Sequence, residues 1–396
     1  MELQSRIKEL AQEIFEEIRD IRRYLHANPE LSWQEFGTSD FIAAKLEEEG
    51  VGFKRGVAKI GIVAFIEGNN PTSKTIALRA DMDALPIQEA NTCDYKSKNH
   101  GVMHACGHDV HMACLLGAAK ILNRLKHSFE GTIRLIFQPS EESYPSGAKT
   151  MIDEGVLQNP IPVGIIGQHV FPQLPVGSIG VRPGKYMAST DEVYITVKGK
   201  GGHAAMPHLV VDPVAISAHV LVALQQIPKL NQNPDVPTVL AFGRIFGDGR
   251  MNVIPNEVTI DGTFRTFDED WRNLAHETIK KLAQETAKRF GGTCEVRIER
   301  GFPFLINNAE LTNNFRQWAE SYLGPGKVVD IETSMTAEDF AFYSHVIPAC
   351  LYRLGVANAE KGIISGVHTP TFDIDEHALE IGSGLLAYTA IRSQNG

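Results

Sequence analysis

The chain has 396 residues, 43% of them hydrophobic, and sets 38 Lys and Arg against 48 Asp and Glu for a formal net charge of -10. Its length exceeds what one hydrophobic core usually organises, so two domains are expected. The acidic balance without a basic cluster argues against a nucleic-acid partner, and no apolar run is long enough to cross a bilayer. Five scattered cysteines, Cys93, Cys106, Cys114, Cys294 and Cys350, are odd in number and suit reduced thiols better than a disulfide framework.

From the N-terminus, residues 1–23 read as a charged amphipathic helix without the basic start and apolar core of a signal peptide, which makes the cytoplasm the expected location. Thr75 to Leu78 reads as an apolar strand. The densest chemical signal follows: His104-Ala105-Cys106-Gly107-His108-Asp109-Val110-His111 holds a cysteine and three histidines within eight residues. A turn that merely happens to be rich in histidine does not account for this density. Small Ala105 and Gly107 let the backbone bend so that a thiolate and an imidazole face one ion, with Asp109 placed to orient a ring N–H. His111 to Leu125 then has helical periodicity.

Ile133 to Phe137 reads as a buried strand running into Gln138-Pro139-Ser140-Glu141-Glu142. Adjacent carboxylates past a strand end lie where α/β folds place ligands, and two neighbours can divide the work between binding metal and carrying a proton. Val163 to Val170 is a further apolar strand, ending near His169, and Gly366-Val367-His368-Thr369-Pro370 places another histidine in a turn. Each lone histidine is more often structural than a ligand. Together Cys106, His108, Glu142, His169 and His368 are too many for one tetrahedral ion and suit two divalent ions.

No residue between about Met187 and Arg300 joins that set, and the segment carries its own pattern. Asp191 to Lys198 alternates as a strand, and Asp212 to Ile227 is helical with Asp212-Pro213 as its start. Thr238 to Phe246 and Glu257 to Phe267 read as strands, Glu269 to Phe290 as a helix, and Thr293 to Glu299 as a strand. This β-α-β-β-α-β order is that of the ferredoxin-like unit. The expected fold is therefore α/β: a discontinuous catalytic domain, residues 1–186 and 300–396, with a mostly parallel sheet flanked by helices, and an inserted lid, residues 187–299.

These residues resemble the M20 metallopeptidases, within them the amidohydrolase branch of aminoacylases, hippurate hydrolases and auxin-conjugate hydrolases. The likeness covers nearly the whole chain. It rests on His26-Ala27-Asn28-Pro29-Glu30-Leu31, Arg79-Ala80-Asp81-Met82-Asp83-Ala84-Leu85-Pro86, Met103-His104-Ala105-Cys106-Gly107-His108-Asp109, Gln138-Pro139-Ser140-Glu141-Glu142, Gly201-Gly202-His203-Ala204-Ala205, Asn252-Val253-Ile254-Pro255 and His368-Thr369-Pro370. It implies a di-metal amidase with the five ligands above, Glu141 as general base, and a lid that dimerises and brings His203 to the partner's site. It also implies Asn252 and Arg265 as substrate contacts, Arg265 by forking onto a substrate carboxylate. Asp81 occupies the place of a metal-binding histidine in the wider superfamily, so Asp81 and Asp83 are assigned to support of the site. Ser146-Gly147-Ala148 departs from the expected Gly-Gly-Ala, which puts substrate range in question.

Amide cleavage at neutral pH needs an activated water, and a divalent ion lowers the pKa of water from about 15.7 to about 7. Glu141 would take the proton and deliver it to the leaving nitrogen, while His203 would donate to the oxyanion. The implied substrate is a small N-acyl amino acid, or alternatively a dipeptide. Mixed S, N and O donors suit Zn, Mn, Co and Ni alike. Two rival classes remain: a cysteine hydrolase with Cys106 as nucleophile, which leaves Glu142, His169 and His368 without purpose, and a non-catalytic metalloprotein, which has no use for Glu141.

Overall fold

The computed structural model describes residues Glu2–Gln394, which form two compact units. The first comprises the chain up to Tyr186, Ile306–Thr333 and the chain from Glu338 onward. Its eight-stranded sheet runs, in spatial order, Gly52–Val57, Gly61–Glu67, Thr132–Gln138, Thr75–Asp81, Ile165–Pro175, Ala349–Ala357, Ile179–Val181 and Val328–Asp330. The four central strands are mutually parallel. Every residue of Thr75–Asp81 and Thr132–Gln138 is buried, as expected of strands covered on both faces. Helix His108–Arg124 packs against Phe15–Ala27 and His377–Gln394, and their apolar faces share one continuous core with the sheet.

The sheet is mixed rather than parallel throughout. Gly52–Val57 and Gly61–Glu67 form an antiparallel edge hairpin, and Ile179–Val181 runs antiparallel to Ala349–Ala357. The hairpin turn places Ala58 and Lys59 at φ of 51° and 68°, a conformation usually signalled by Gly or Asn, so its sequence hid it. The expected N-terminal helix is two helices, Glu2–Glu13 and Phe15–Ala27.

The second unit comprises Met187–Leu305 and Ser334–Ala337. Its four-stranded antiparallel sheet has the order Thr238–Phe246, Glu257–Thr266, Asp191–Lys198, Thr293–Arg300, which is the ferredoxin-like arrangement. Val193, Ile195 and Val197 form a core with Ile216, Val220 and Leu224 of helix Pro213–Leu224 and Ala275, Ile279 and Ala283 of helix Glu269–Arg289. Asp212 caps the first helix by accepting from the Val214 N–H at 2.8 Å, the role its sequence position predicts. That helix stops at Leu224, short of the expected Ile227, and a short 3-10 turn containing Pro228 follows. Ser334–Ala337 joins this unit through an Ala188 N–H that donates to the carbonyl oxygens of Ser334 and Thr336. No helix among the described residues is long and apolar enough to cross a membrane.

Candidate metal centre

The central strands of the first unit deliver carboxylates at their C-terminal ends, Asp81 as the last residue of one and Glu141 and Glu142 just past another. His169 lies within Ile165–Pro175, in register with Arg353 of the parallel neighbour. Cys106 and His108 flank Gly107 at the start of helix His108–Arg124. Gly107 has φ of 82°, and a Cβ there would meet Val170 Cγ2 at 2.5 Å, so the sharp bend between the two donors requires glycine. His368 is brought in by its backbone N–H, which donates to the Ala105 carbonyl oxygen at 2.7 Å.

The donor atoms converge on Cys106. Its Sγ is 3.4 Å from His169 Nε2 and 3.3 Å from His368 Nε2. His368 Nε2 lies 3.2 Å, and His108 Nε2 4.0 Å, from Glu142 Oε1. Two nitrogen or sulfur donors held tetrahedrally at zinc-like bond lengths sit about 3.3–3.6 Å apart; the separations of Cys106 Sγ from His169 and His368 fall in that range, whereas His108 Nε2 and Glu142 Oε1 lie wider. Among the groups of donor atoms that lie within 4.8 Å of one another are Cys106 with His108 and His169, and Cys106 with Glu142 and His368. Cys106 is common to both.

Hydrogen bonding fixes which ring nitrogens are available. His169 Nδ1 is 2.8 Å from the Val170 carbonyl oxygen, which can only accept, so Nδ1 carries the proton and Nε2 offers its lone pair toward Cys106. Burial, Arg353 and His111 hold His169 well below the ordinary histidine pKa, keeping it neutral. His111, by contrast, is fully committed: its Nε2 accepts from the Val170 N–H at 2.9 Å and its Nδ1 reaches Asp81 Oδ1 at 2.6 Å. His111 thus steadies the strand that carries His169, and its proximity to Asp81 and His108 does not make a third ligand trio. His108 is wholly buried, and its Nε2 makes no hydrogen bond. Burial disfavours charge on it, but Asp81, Asp83 and Glu142 outweigh that and push its pKa up to about 10. The negative field and the bare nitrogen both fit a divalent cation.

Cys106 is pushed well above the ordinary thiol range by burial and by Glu142 and Glu141. An activated nucleophile needs the opposite environment, which weighs against the cysteine-hydrolase reading. A cation beside the sulfur would offset that field.

The supporting residues divide unequally. Asp83 Oδ1 accepts from the Glu141 N–H at 3.0 Å and Oδ2 from the Glu142 N–H at 2.9 Å. It also takes the Ser32 hydroxyl at 2.6 Å and lies 3.3 Å from His108 Nδ1. Asp81 holds His111 as described and Arg79 Nη1 at 2.6 Å. Asp109 does not orient a ligand ring: it turns from the centre to bind Arg22 Nε and His26 Nδ1, each at 2.8 Å. Its place on the first turn of the helix sends its side chain to the face that packs on Phe15–Ala27.

Sequence reasoning missed Arg79, Glu338 and Asp339. Arg79 is buried and pairs with Asp81, with Glu338 at 3.1 Å and with Asp339 at 2.7 Å. The Asp339 N–H donates to Glu141 Oε1 at 3.2 Å, and Asp339 Oδ2 accepts from the Ser146 hydroxyl at 2.7 Å. Ser146, the departure from the expected Gly-Gly-Ala, therefore adds a donor beneath the glutamates. A buried Arg inside an apolar strand was the available signal, because such a charge requires partners. Burial, Glu338 and Glu142 push Glu141 well above the ordinary carboxylate range, and cations would relieve that repulsion.

His203, Asn252 and Arg265 all lie in the second unit. His203 and Asn252 are neighbours on a two-stranded ribbon, where His203 pairs with Val253 and the Ala204 N–H donates to the Asn252 carbonyl oxygen at 3.0 Å. Both side chains are exposed. Arg265 Nη1 donates to the Met335 carbonyl oxygen at 3.0 Å, and burial lowers its pKa.

Comparison with known proteins agrees with this donor chemistry. Residues 77–392 match the family described as peptidase family M20/M25/M40. Thermostable carboxypeptidase 2 of Saccharolobus solfataricus is 38% identical over the whole of both chains. N-acetyl-L-cysteine deacetylase of Bacillus subtilis is 39% identical, covering 94% of this chain and 87% of its own. The crystal structure of a Bacillus subtilis protein described as a dinuclear metal binding peptidase from the M20 family superposes with a TM-score of 0.83 at 34% identity, covering 97% of this chain and 99% of that one.

Proposed function

Because this chain belongs to peptidase family M20/M25/M40 and is a metal-binding hydrolase of amide bonds, we propose that it cleaves small N-acyl amino acids to a carboxylic acid and a free amino acid at a pair of divalent ions. The observation that carries the reading is the pair of donor trios sharing Cys106, with the Glu141 carboxyl grouped with His108 and Glu142. Cys106, His108, Glu142, His169 and His368 hold the ions, whose identity among Zn, Mn, Co and Ni the donor types leave open. Bound there, the ions supply Lewis acidity and a lowered pKa for water.

Glu141 takes a proton from the attacking water and passes it to the leaving nitrogen. The Asp339 N–H at its Oε1 fixes the rotamer that does so. In the second unit, read as residues 187–299 forming a lid, Arg265 receives the substrate carboxylate and Asn252 lines the same approach. His203 donates to the oxyanion, from the partner chain of a homodimer formed through this lid. Exposed Val214 and Val222 on helix Pro213–Leu224 support an association surface there. A reducing cytoplasm suits a site that depends on a free thiol.

The test is a panel of N-acetyl-amino acids, N-benzoyl-amino acids and dipeptides, assayed with each metal and after chelation, alongside metal analysis. Hydrolysis of the N-acyl compounds, lost with chelator and restored by metal at a ratio approaching two per chain, is expected. Glu141→Gln should abolish turnover with metal retained, a loss of about 10² to 10⁴, and Glu142→Gln should release metal. Full activity at a saturable ratio of one removes the ion pair from the reading. The name of the Saccharolobus relative favours short peptides as a second reading, and faster turnover of dipeptides in the panel would select it.

A further inference from the structure

The motif beginning at His26 contributes nothing to the donor set, yet the segment that follows it reaches the centre from below. Glu30 caps the first turn of helix Phe36–Glu48, its carboxylate accepting from the Gly37 and Thr38 N–H groups at 3.1 and 2.8 Å. Its backbone carbonyl oxygen accepts from the Ala84 N–H at 2.8 Å, and Ser32 binds Asp83. The segment is thereby tied to both the helix and the Asp83 loop. Glu35, the residue before that helix, is fully buried, and its Oε1 accepts from the Ser140 N–H at 2.7 Å. Its Oε2 has no hydrogen-bond partner. A packing role alone would be served better by an apolar side chain, because a buried carboxyl with an unsatisfied oxygen is costly.

Ser140 sits at φ of 50°, a sparsely populated conformation for a residue with a Cβ, kept only where the surroundings impose it. Its carbonyl oxygen accepts from the Gly147 N–H at 2.9 Å. The next two N–H groups, of Glu141 and Glu142, go to Asp83. Three consecutive backbone N–H groups thus end on two carboxyl groups contributed by different segments, and burial with Asp83 pushes that of Glu35 up to about 8.

We propose that Glu35 is a positioning residue, which with Asp83 clamps the Ser140–Glu142 turn and so sets the directions of the Glu141 and Glu142 carboxyls. The proposal rests on Glu141 as base and Glu142 as ligand. Glu35 touches neither substrate nor metal and acts only through the Ser140 amide.

Glu35→Gln keeps an acceptor at Oε1, whereas Glu35→Met keeps length and removes it. Both are compared with the unaltered enzyme for kcat and KM on the best substrate of the panel above, and for Mn²⁺ affinity by titration after chelation. Glu35→Gln should stay within about threefold in kcat. Glu35→Met should lose about 10- to 100-fold in kcat, as a displaced catalytic group does, with KM changed less than about threefold, and should bind Mn²⁺ about tenfold more weakly. Unaltered kcat and Mn²⁺ affinity in Glu35→Met overturn the proposal, as does a Glu35→Gln enzyme as impaired as Glu35→Met. If Glu35→Met does not fold, Glu35→Gln decides, a tenfold or greater loss of kcat overturning the proposal and retention supporting it. Glu141→Gln run in parallel separates the two levels: retained turnover there removes the base, whereas an unaltered Glu35→Met beside an inactive Glu141→Gln removes only the clamp.

Discussion

Arg79→Met should cost the protein a large share of its stability. The Arg79 guanidinium is 1% exposed and contacts Asp81, Glu338 and Asp339 at 2.6, 3.1 and 2.7 Å, with Gln138 Oε1 accepting from Nε at 2.9 Å. Burial opposes its charge, yet those carboxylates and Glu141 hold it well above the ordinary arginine range. Methionine fills similar length but removes the only cation this cluster draws from its own strand. Removing one partner of a buried ion pair costs about 3–5 kcal/mol, against a total stability of about 5–15 kcal/mol for a folded domain. Asp339 is already pushed up to about 7 by burial even with Arg79 lowering it, so loss of the arginine raises its folded pKa further above the unfolded one. A raised folded pKa contributes stability below the unfolded value and loses it as pH rises, so the deficit of Arg79→Met should be larger at pH 8 than at pH 5.5. Urea unfolding of metal-stripped protein, followed by fluorescence and circular dichroism at both pH values, measures this. Arg79→Lys, which keeps the charge and loses the fork, should fall between. A deficit below about 1 kcal/mol, or one independent of pH, refutes the reasoning.

Gly147→Ala should damage the glutamate turn, because a Cβ at Gly147 would lie 1.7 Å from the Pro139 carbonyl oxygen; a variant with normal melting temperature and kcat would show that the turn relaxes freely. His26 bridges Asp109 and Glu89, and although burial and Arg22 oppose it, its pKa is raised above 6.5. That stabilisation is complete below pH 6.5 and lost as pH rises through the raised value, so the melting-temperature gap between the unaltered protein and His26→Gln should narrow from pH 6 to pH 9, and a constant gap contradicts it. If His203 acts across a dimer, mixing His203→Ala with Glu141→Gln should restore activity, since some heterodimers pair an intact base with an intact His203. No restoration in a mixture shown to exchange subunits confines His203 to its own chain or to no role.

Much of the candidate site was legible in one dimension because the residue types able to hold a metal are few and must cluster. Cys106 and His108 advertised a bend that only Gly107 permits, and the strand running into Glu141 and Glu142 announced its polarity through apolar residues that stop abruptly. The alternation of Asp191–Lys198 and the Asp212-Pro213 cap declared the ferredoxin-like unit, since strand period and helix capping are local properties. Tertiary structure alone decided how charge is distributed around those candidate residues. Asp109 follows the candidate ligand His108 in sequence yet serves Arg22 and His26, because neighbours along a helix point to different faces. Arg79 lies far along the chain from the adjacent pair Glu338 and Asp339 and meets them only once the sheet is assembled. The commitment of both His111 nitrogens, and of the Ser140 amide to Glu35, depends on hydrogen bonds between segments whose register no local pattern encodes. Residue type and spacing determined which chemistry the chain can do; long-range packing determined which atoms remain free to do it.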